Sequence, residues 1–206
     1  MSHTYVNAHF PKPYMVLGNT LKPFCLGHLL ILKELDSPLI DESQQREVSF
    51  EQLVAAAIVC TSTFEETKAQ INDGISFENE KVKIADKIKS TFENDQNGPT
   101  VIQDAIFAFA EYVTVNFKEP PAYVIENEST GIESGTYWIQ SYINVLCTEC
   151  GYTRSEAWNM PINLAIQEYL WYIEREGSIR LLTDVETDLI KQMEEDNNKK
   201  REANGI

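Results

Sequence analysis

The fold of this chain is decided by the stretch Gly151-Tyr152-Thr153-Arg154-Ser155-Glu156-Ala157-Trp158-Asn159-Met160-Pro161. Gly151 suits the left-handed position that ends a helix, and Thr153 with Glu156 three residues later forms a capping box. Pro161 can then restart a helix, which Gly177 stops. The succession of a glycine stop, a capped turn and a proline restart predicts consecutive helices and carries no catalytic chemistry.

Helical patterns continue in both directions from this stretch. Segments 22–35 and 50–60 are apolar on nearly every side, which is typical of buried helices. Ser49 with Gln52 and Thr183 with Glu186 repeat the capping-box pattern. We therefore expect an all-α fold, a compact bundle of about seven helices with little or no sheet.

The sequence divides into an arm, a domain and a tail. We expect residues 1–20 to form an extended N-terminal arm. This arm is either disordered or contains an irregular strand at Tyr14–Leu17. A single helical domain is predicted over 21–195, followed by a charged and polar tail at 196–206 that frays. Within the domain, 119–135 reads as a long acidic loop, with a short extended piece at Tyr123–Ile125.

The charge of the chain limits its partners. The net charge is −15 over 206 residues, with 43% hydrophobic residues. A strongly acidic chain is unsuited to bind DNA, RNA or anionic lipid. A net charge of this size is typical of a soluble protein. Alternatively, it attracts a basic partner or mimics nucleic acid. Between Ser90 and Thr153 the only basic residue is Lys118, so we expect this region to have a negative electrostatic potential.

Targeting signals are not apparent in the sequence. We see no basic segment followed by an apolar one at the N-terminus, and no apolar run of membrane-spanning length. Four cysteines in such a chain predict free thiols in the cytoplasm. We expect no contact with a membrane.

Residues that could carry chemistry are few. Cys147 and Cys150 lie three apart on a helix, but zinc normally needs a second pair of ligands, so we interpret them as packed thiols. Cys25 and His28 are also three apart, in apolar surroundings that keep a thiol neutral, which favours a structural role. Phosphate loops and hydrolase motifs are not recognisable. We expect no enzymatic activity, no cofactor and no metal.

Aromatic residues concentrate in helix 161–176. We expect one face of this helix to pack in the core, whereas Trp171 lies outside that face. The core face consists of residues 162, 165, 166, 169, 172 and 173. A helix with apolar residues outside its core face is either central in the domain, or covered on that side by the last helix, or uses that side to bind a partner. We place the candidate partner interface at Tyr152, Trp158, Met160, Trp171 and Tyr172, together with Glu126 and Glu128 of the acidic loop.

Two segments resemble proteins of tailed bacteriophages. The pattern from Gly151 through Met160-Pro161 to Gly177 resembles tail assembly chaperones, and Leu21–Leu30 resembles the opening helix of uncharacterised phage and prophage proteins. The resemblance implies a non-enzymatic protein of the host cytoplasm, without a cofactor. It would bind an aggregation-prone tail protein by protein–protein contact during assembly.

Other functions stay open at this point. The chain could be a structural component retained in the virion, with the arm reaching a neighbour. It could be an acidic DNA mimic that antagonises a host protein, or a metal protein or enzyme built on Cys147 and Cys150. An oligomer is compatible with each of these alternatives.

Overall fold

The computed structural model describes residues 12–40, 47–74, 77–79, 81–83, 86, 98–117, 121–124 and 137–203. These residues are mostly helical, with two short antiparallel strand pairs, which confirms the all-α prediction. The elements are β1 (Tyr14–Val16), β2 (Asn19–Leu21), α1 (Leu26–Glu34), a 3-10 turn (Pro38–Ile40), α2 (Phe50–Thr61), α3 (Phe64–Asp73), α4 (Gly98–Asn116), β3 (Ala122–Val124), α5 (Trp138–Thr148), α6 (Arg154–Asn159), α7 (Ile162–Arg175), β4 (Ile179–Leu181) and α8 (Asp184–Ala203).

The core is built around α1 and α2, the two helices that are apolar on nearly every side. Both bury most of their residues, and α4 adds Phe109 and Tyr112. The Tyr112 hydroxyl donates to the carbonyl oxygen of Lys22 at 2.7 Å, so its polar atom is satisfied inside the core. Each large apolar side chain buried in this way contributes about 1.5–3 kcal/mol.

The N-terminal segment is a hairpin where the sequence predicts an extended arm. β1 pairs with β2, with Tyr14 opposite Leu21. Leu17 and Gly18 have φ angles of 52° and 73°, as a two-residue hairpin turn requires. Val16 and Leu21 are buried against the core. The strand expected at Tyr14–Leu17 is confirmed for Tyr14–Val16, whereas Leu17 belongs to the turn. The prediction of an extended arm is wrong for residues 14–20, and residues 1–11 lie outside the described part.

Helix α1 begins later than the sequence predicts. The expected start was at Lys22, but Cys25 is the N-cap residue and Leu26 the first residue of the helix. Two backbone bonds hold the preceding residues extended: the Lys22 N–H donates to Cys60 at 2.8 Å, and the Ile162 N–H donates to Phe24 at 2.8 Å. Neither partner is close in sequence, so a local pattern could not reveal them.

The C-terminal end is helical for longer than expected. Helix α8 continues to Ala203 through residues that the sequence assigns to a fraying tail at 196–206. The segment 196–203 contains neither glycine nor proline, and its last five residues, Lys199-Lys200-Arg201-Glu202-Ala203, are all types that favour helices. The expected frayed tail is therefore corrected for residues 196–203.

A second strand pair joins distant parts of the chain. β3 pairs with β4, with Ala122 opposite Leu181. An extended piece was expected at Tyr123–Ile125, and the structure confirms it for Tyr123 and Val124. Apart from Pro121, the rest of the expected acidic loop, residues 119–120 and 125–135, lies outside the described residues.

Candidate protein-contact surface

Asn159 fixes the short helix α6 against the start of α3. Its side-chain oxygen accepts the Phe64 N–H at 3.0 Å, and its amide nitrogen donates to Glu65 at 2.7 Å. Ser155 donates to the other oxygen of Glu65, also at 2.7 Å. Burial acts to raise the pKa of Glu65, but these two hydrogen bonds outweigh it and leave that pKa below its ordinary value. Asn159 thus joins two helices that lie 90 residues apart in sequence.

Helix α7 is fixed by backbone contacts with the residues that precede α1. Cys25 and Pro161 form an isolated antiparallel bridge, and the Ile162 N–H donates to the Phe24 carbonyl. Ile162, Ala165 and Ile166 are buried at the start of the helix. Gly177 ends it at φ 80°, with the Ser178 N–H donating to Ile173 at 3.1 Å, the arrangement of a Schellman motif. The predicted restart at Pro161 and stop at Gly177 are confirmed.

Aromatic rings connect α5 to α7. Tyr142 stacks on Tyr169, with centroids 4.1 Å apart and planes inclined by 12°. Trp138 meets Tyr142 edge to face at 5.3 Å, and Tyr137 lies 6.3 Å from Trp138. Tyr137 and Trp138 are both exposed at the start of α5. These four rings form one continuous series across the two helices.

Trp171 lies near the end of α7, two positions from Tyr169 and so on the opposite side of the helix, where Arg175 links it to Tyr172. Trp171 is 52% exposed. The Arg175 guanidinium lies 5.5 Å from the Trp171 ring centroid and 5.4 Å from that of Tyr172, within cation–π range of both. Tyr172 follows Tyr169 by three residues and so neighbours it on the helix. We call the rings of Tyr137, Trp138, Tyr142, Tyr169, Trp171 and Tyr172, together with Arg175, the aromatic surface.

The other predicted interface residues of this region lie elsewhere. Met160 is 5% exposed and is corrected to core, because its side chain belongs to the buried hydrophobic cluster. Trp158 is half-buried and stacks on Phe64 at 4.9 Å. Tyr152 is half-buried, and burial, followed by the nearby Glu168, raises its pKa. The structure therefore brings together only Trp171 and Tyr172 of the predicted set, and Glu126 and Glu128 lie outside the described residues.

Sequence reasoning missed the aromatic residues at the start of α5. The helical spacing of Trp138 with Tyr142 and with Ile139 and Ile143 favours an inward position for the Trp138 ring, but the ring is 36% exposed. The buried stripe of α5 runs through Ile139, Ile143 and Leu146, which leaves Trp138 and Tyr142 on its flank. The spacing of those three aliphatic residues was the available signal.

The Cys25 thiol and the buried His28 imidazole form a capping box whose environment favours their neutral forms. Cys25 is the N-cap of α1 and accepts the His28 N–H at 3.4 Å, while His28 Nδ1 accepts the Cys25 N–H. His28 Nε2 lies 2.8 Å from the Ser62 carbonyl, which fixes the Nε2–H tautomer. Burial lowers the pKa of His28 to about 4 and raises the pKa of Cys25 to about 11. The structural role predicted for this pair fits a capping box, not a catalytic dyad.

Cys147 and Cys150 lie at the end of α5, both half-buried. Burial, followed by Glu168, raises the pKa of Cys150, which opposes thiolate formation. Among the described residues no group of three His, Cys, Asp or Glu side chains is placed to hold a metal ion. Within the same residues no helix combines the length and apolar character needed to cross a membrane.

Comparison with known proteins found no match. No family model, no curated protein and no solved structure resembles the chain significantly.

Proposed function

We propose that this protein acts by binding another protein through the aromatic surface and performs no catalysis. The observation that carries the proposal is the half-exposed ring of Trp171 beside the Arg175 guanidinium. Trp, Tyr and Arg are the residue types that most often dominate the binding energy of an interface. The rings of Tyr142 and Tyr169 are held by stacking and that of Trp171 by Arg175, which supports a surface that is ordered before a partner arrives.

The non-enzymatic part of the proposal is supported by the state of the potential nucleophiles. Cys25 and Cys60 are buried, and burial raises the pKa of each thiol. The His28 imidazole is neutral and engaged on both nitrogens, so it has no free position to accept a proton.

The partner class comes from the resemblance to tail assembly chaperones. The segment Gly151–Gly177 carries it, and the segment Leu21–Leu30, which resembles uncharacterised phage and prophage proteins, contacts it through the Cys25–Pro161 bridge and the Ile162–Phe24 hydrogen bond. We propose a chaperone-like factor of a tailed phage. It would bind an aggregation-prone tail protein in the host cytoplasm and leave before the particle is complete.

The test is an affinity pull-down of the tagged full chain from infected or induced host lysate, read by mass spectrometry beside the composition of purified particles. The proposal expects a long tail protein in the pull-down and none of this chain in the particles. Fixed stoichiometry in particles would identify a structural component instead. Recovery of a basic host factor that DNA displaces would identify a nucleic-acid mimic.

A further inference from the structure

The last helix, α8, has an apolar face that no described residue covers. Val185, Leu189 and Met193 lie one turn apart and are 78%, 56% and 59% exposed, with Ile190 exposed beside them. A helix in a water-soluble domain normally turns such a stripe toward the core. An ordered stripe that faces solvent indicates a contact site.

The beginning of α8 is fixed by its own capping box. The Thr183 N–H donates to Glu186 at 2.9 Å, the Glu186 N–H donates to the Thr183 hydroxyl at 3.3 Å, and Arg180 pairs with Glu186. These local bonds start the helix without help from its apolar face. Substitution of the exposed side chains should therefore leave the fold intact.

The charge along α8 indicates what the apolar face can bind. Around the apolar stripe, between residues 184 and 196, the only base is Lys191, whereas the acids are Asp184, Glu186, Asp188, Glu194, Glu195 and Asp196. The other bases of the helix, Lys199, Lys200 and Arg201, follow more than one turn beyond Met193. Lys191 is two positions from Leu189 and so lies on the opposite side of the helix. An apolar stripe among acidic residues complements an apolar stripe among basic ones.

A second copy of this chain fits the face poorly. In a parallel pair each residue meets its own copy, so acids meet acids. In an antiparallel pair centred on Leu189, where the apolar residues would meet, position 184 lies opposite position 194, and both are acidic. Each copy also carries a net charge of −15, which opposes association at low salt.

We propose that α8 binds a basic amphipathic helix of a partner protein. Apolar residues of that helix at i, i+4 and i+7 would pack on Val185, Leu189 and Met193, and its flanking Lys or Arg residues would face the acids of α8. The stripe spans little more than two turns, so the contact is smaller than a standard interface, and we expect a dissociation constant on the order of 10 to 100 µM. The site is separate from the aromatic surface and is tested by different substitutions.

The experiment measures the binding of a synthetic peptide to the full chain by fluorescence anisotropy. The peptide is a labelled helix of about 18 residues with Leu at helical spacing and Lys on the flanks. One control peptide has the same composition in scrambled order, and another has Glu in place of Lys. We expect only the basic amphipathic peptide to bind, with at least a tenfold weakening between about 50 and 500 mM salt.

Three variants locate the site. Leu189→Asp and Met193→Asp place a charge in the face and should each weaken peptide binding at least tenfold. Lys191→Gln alters the opposite side of the same helix and should change the affinity less than twofold. Circular dichroism of all three should match the unsubstituted protein.

Each other outcome overturns the proposal. Equal binding of the basic, acidic and scrambled peptides, absence of binding, or unchanged binding to Leu189→Asp would each show that this face does not select a basic helix. A wild-type dimer by light scattering that becomes a monomer in Leu189→Asp would show that a second copy occupies the face. The variant Trp171→Asp, which disrupts the aromatic surface, should bind the basic peptide as the wild type does. The two proposals can therefore fail separately.

Discussion

The rings of Tyr142 and Tyr169 stack with their centroids 4.1 Å apart and their planes inclined by only 12°. Tyr142 belongs to α5 and Tyr169 to α7, so this stack fixes the two helices against each other where the aromatic surface crosses between them. The preorganisation that we assign to the surface depends on this contact.

Tyr169→Ala should lower the free energy of unfolding by about 2 kcal/mol, because it removes a half-buried ring and the stack with Tyr142. Tyr169→Phe keeps the ring and is the matched control, with an expected change within about 0.5 kcal/mol. Urea denaturation followed by circular dichroism gives both values. Equal stability of the Ala variant and the wild type would mean that the stack does not fix the helices.

Gly27→Ala should destabilise the protein, because a Cβ at this position would lie 2.6 Å from Cβ and Cγ of Phe64. These atoms are close to the Phe64 backbone and cannot move aside without shifting α3. Overpacking of this kind costs about 1–3 kcal/mol, which exceeds the helix-propensity gain of about 0.5–1 kcal/mol.

The control for Gly27→Ala is Glu34→Ala, at an exposed position of the same helix. We expect it to change the denaturation midpoint little. A midpoint for Gly27→Ala at or above that of the wild type would contradict the close approach of α1 and α3.

Asn159→Ala should cost about 1–2 kcal/mol, since it leaves the Phe64 N–H without its acceptor and the Glu65 carboxylate without one of its donors. Asn159→Asp keeps the acceptor but places a second carboxylate beside Glu65. Its deficit should therefore be larger at neutral pH than at a pH where carboxylates are protonated. Thermal melts of both variants at the two pH values measure this difference. An Asp variant whose deficit does not depend on pH would argue against the contact with Glu65.

His28 should make stability depend on pH between about 4 and 6.5. Burial lowers its pKa to about 4 in the folded chain, against 6.5 for an ordinary histidine. Over this range the unfolded chain binds a proton that the folded chain does not. The free energy of unfolding therefore falls as the pH is lowered from 6.5 to 4, by up to roughly 3 kcal/mol, with no further loss from this group at lower pH.

The variant that isolates this effect is His28→Gln. A glutamine can accept the Cys25 N–H as in an ordinary capping box, but it does not titrate. The free energies of unfolding of the wild type and the variant are measured by denaturation at several pH values. As the pH falls from 6.5 to 4, the wild type should lose more stability than the variant. Parallel curves would contradict a neutral, buried His28.

Local sequence patterns predicted the parts of the fold that local hydrogen bonds determine. The capping boxes at Ser49, Thr153 and Thr183 are all formed, and the helices that follow them begin where expected. The box of Cys25 and His28 was not predicted as such, because cysteine is not a usual N-cap residue. The start of α1 depends on bonds to Cys60 and Ile162, which no local window contains.

The candidate site was predictable only in part for a similar reason. Trp171 falls off the core face of α7 by periodicity alone, and it is exposed. Whether Met160 and Trp138 are inside or outside depends on which helix packs beside them, and the pattern assigned both to the wrong side. Sequence periodicity identifies the faces of a helix but not its neighbours.

The most direct test of the central claim is the effect of Trp171→Asp on recovery of the tail protein in the pull-down, with Trp171→Phe as the matched control. We expect the Asp variant to lose the partner while its helix content by circular dichroism and its denaturation midpoint stay those of the wild type, because the ring is half exposed. The Phe variant should retain most binding. Partner recovery undiminished in a folded Asp variant, or unfolding of that variant, would contradict a contact surface at Trp171.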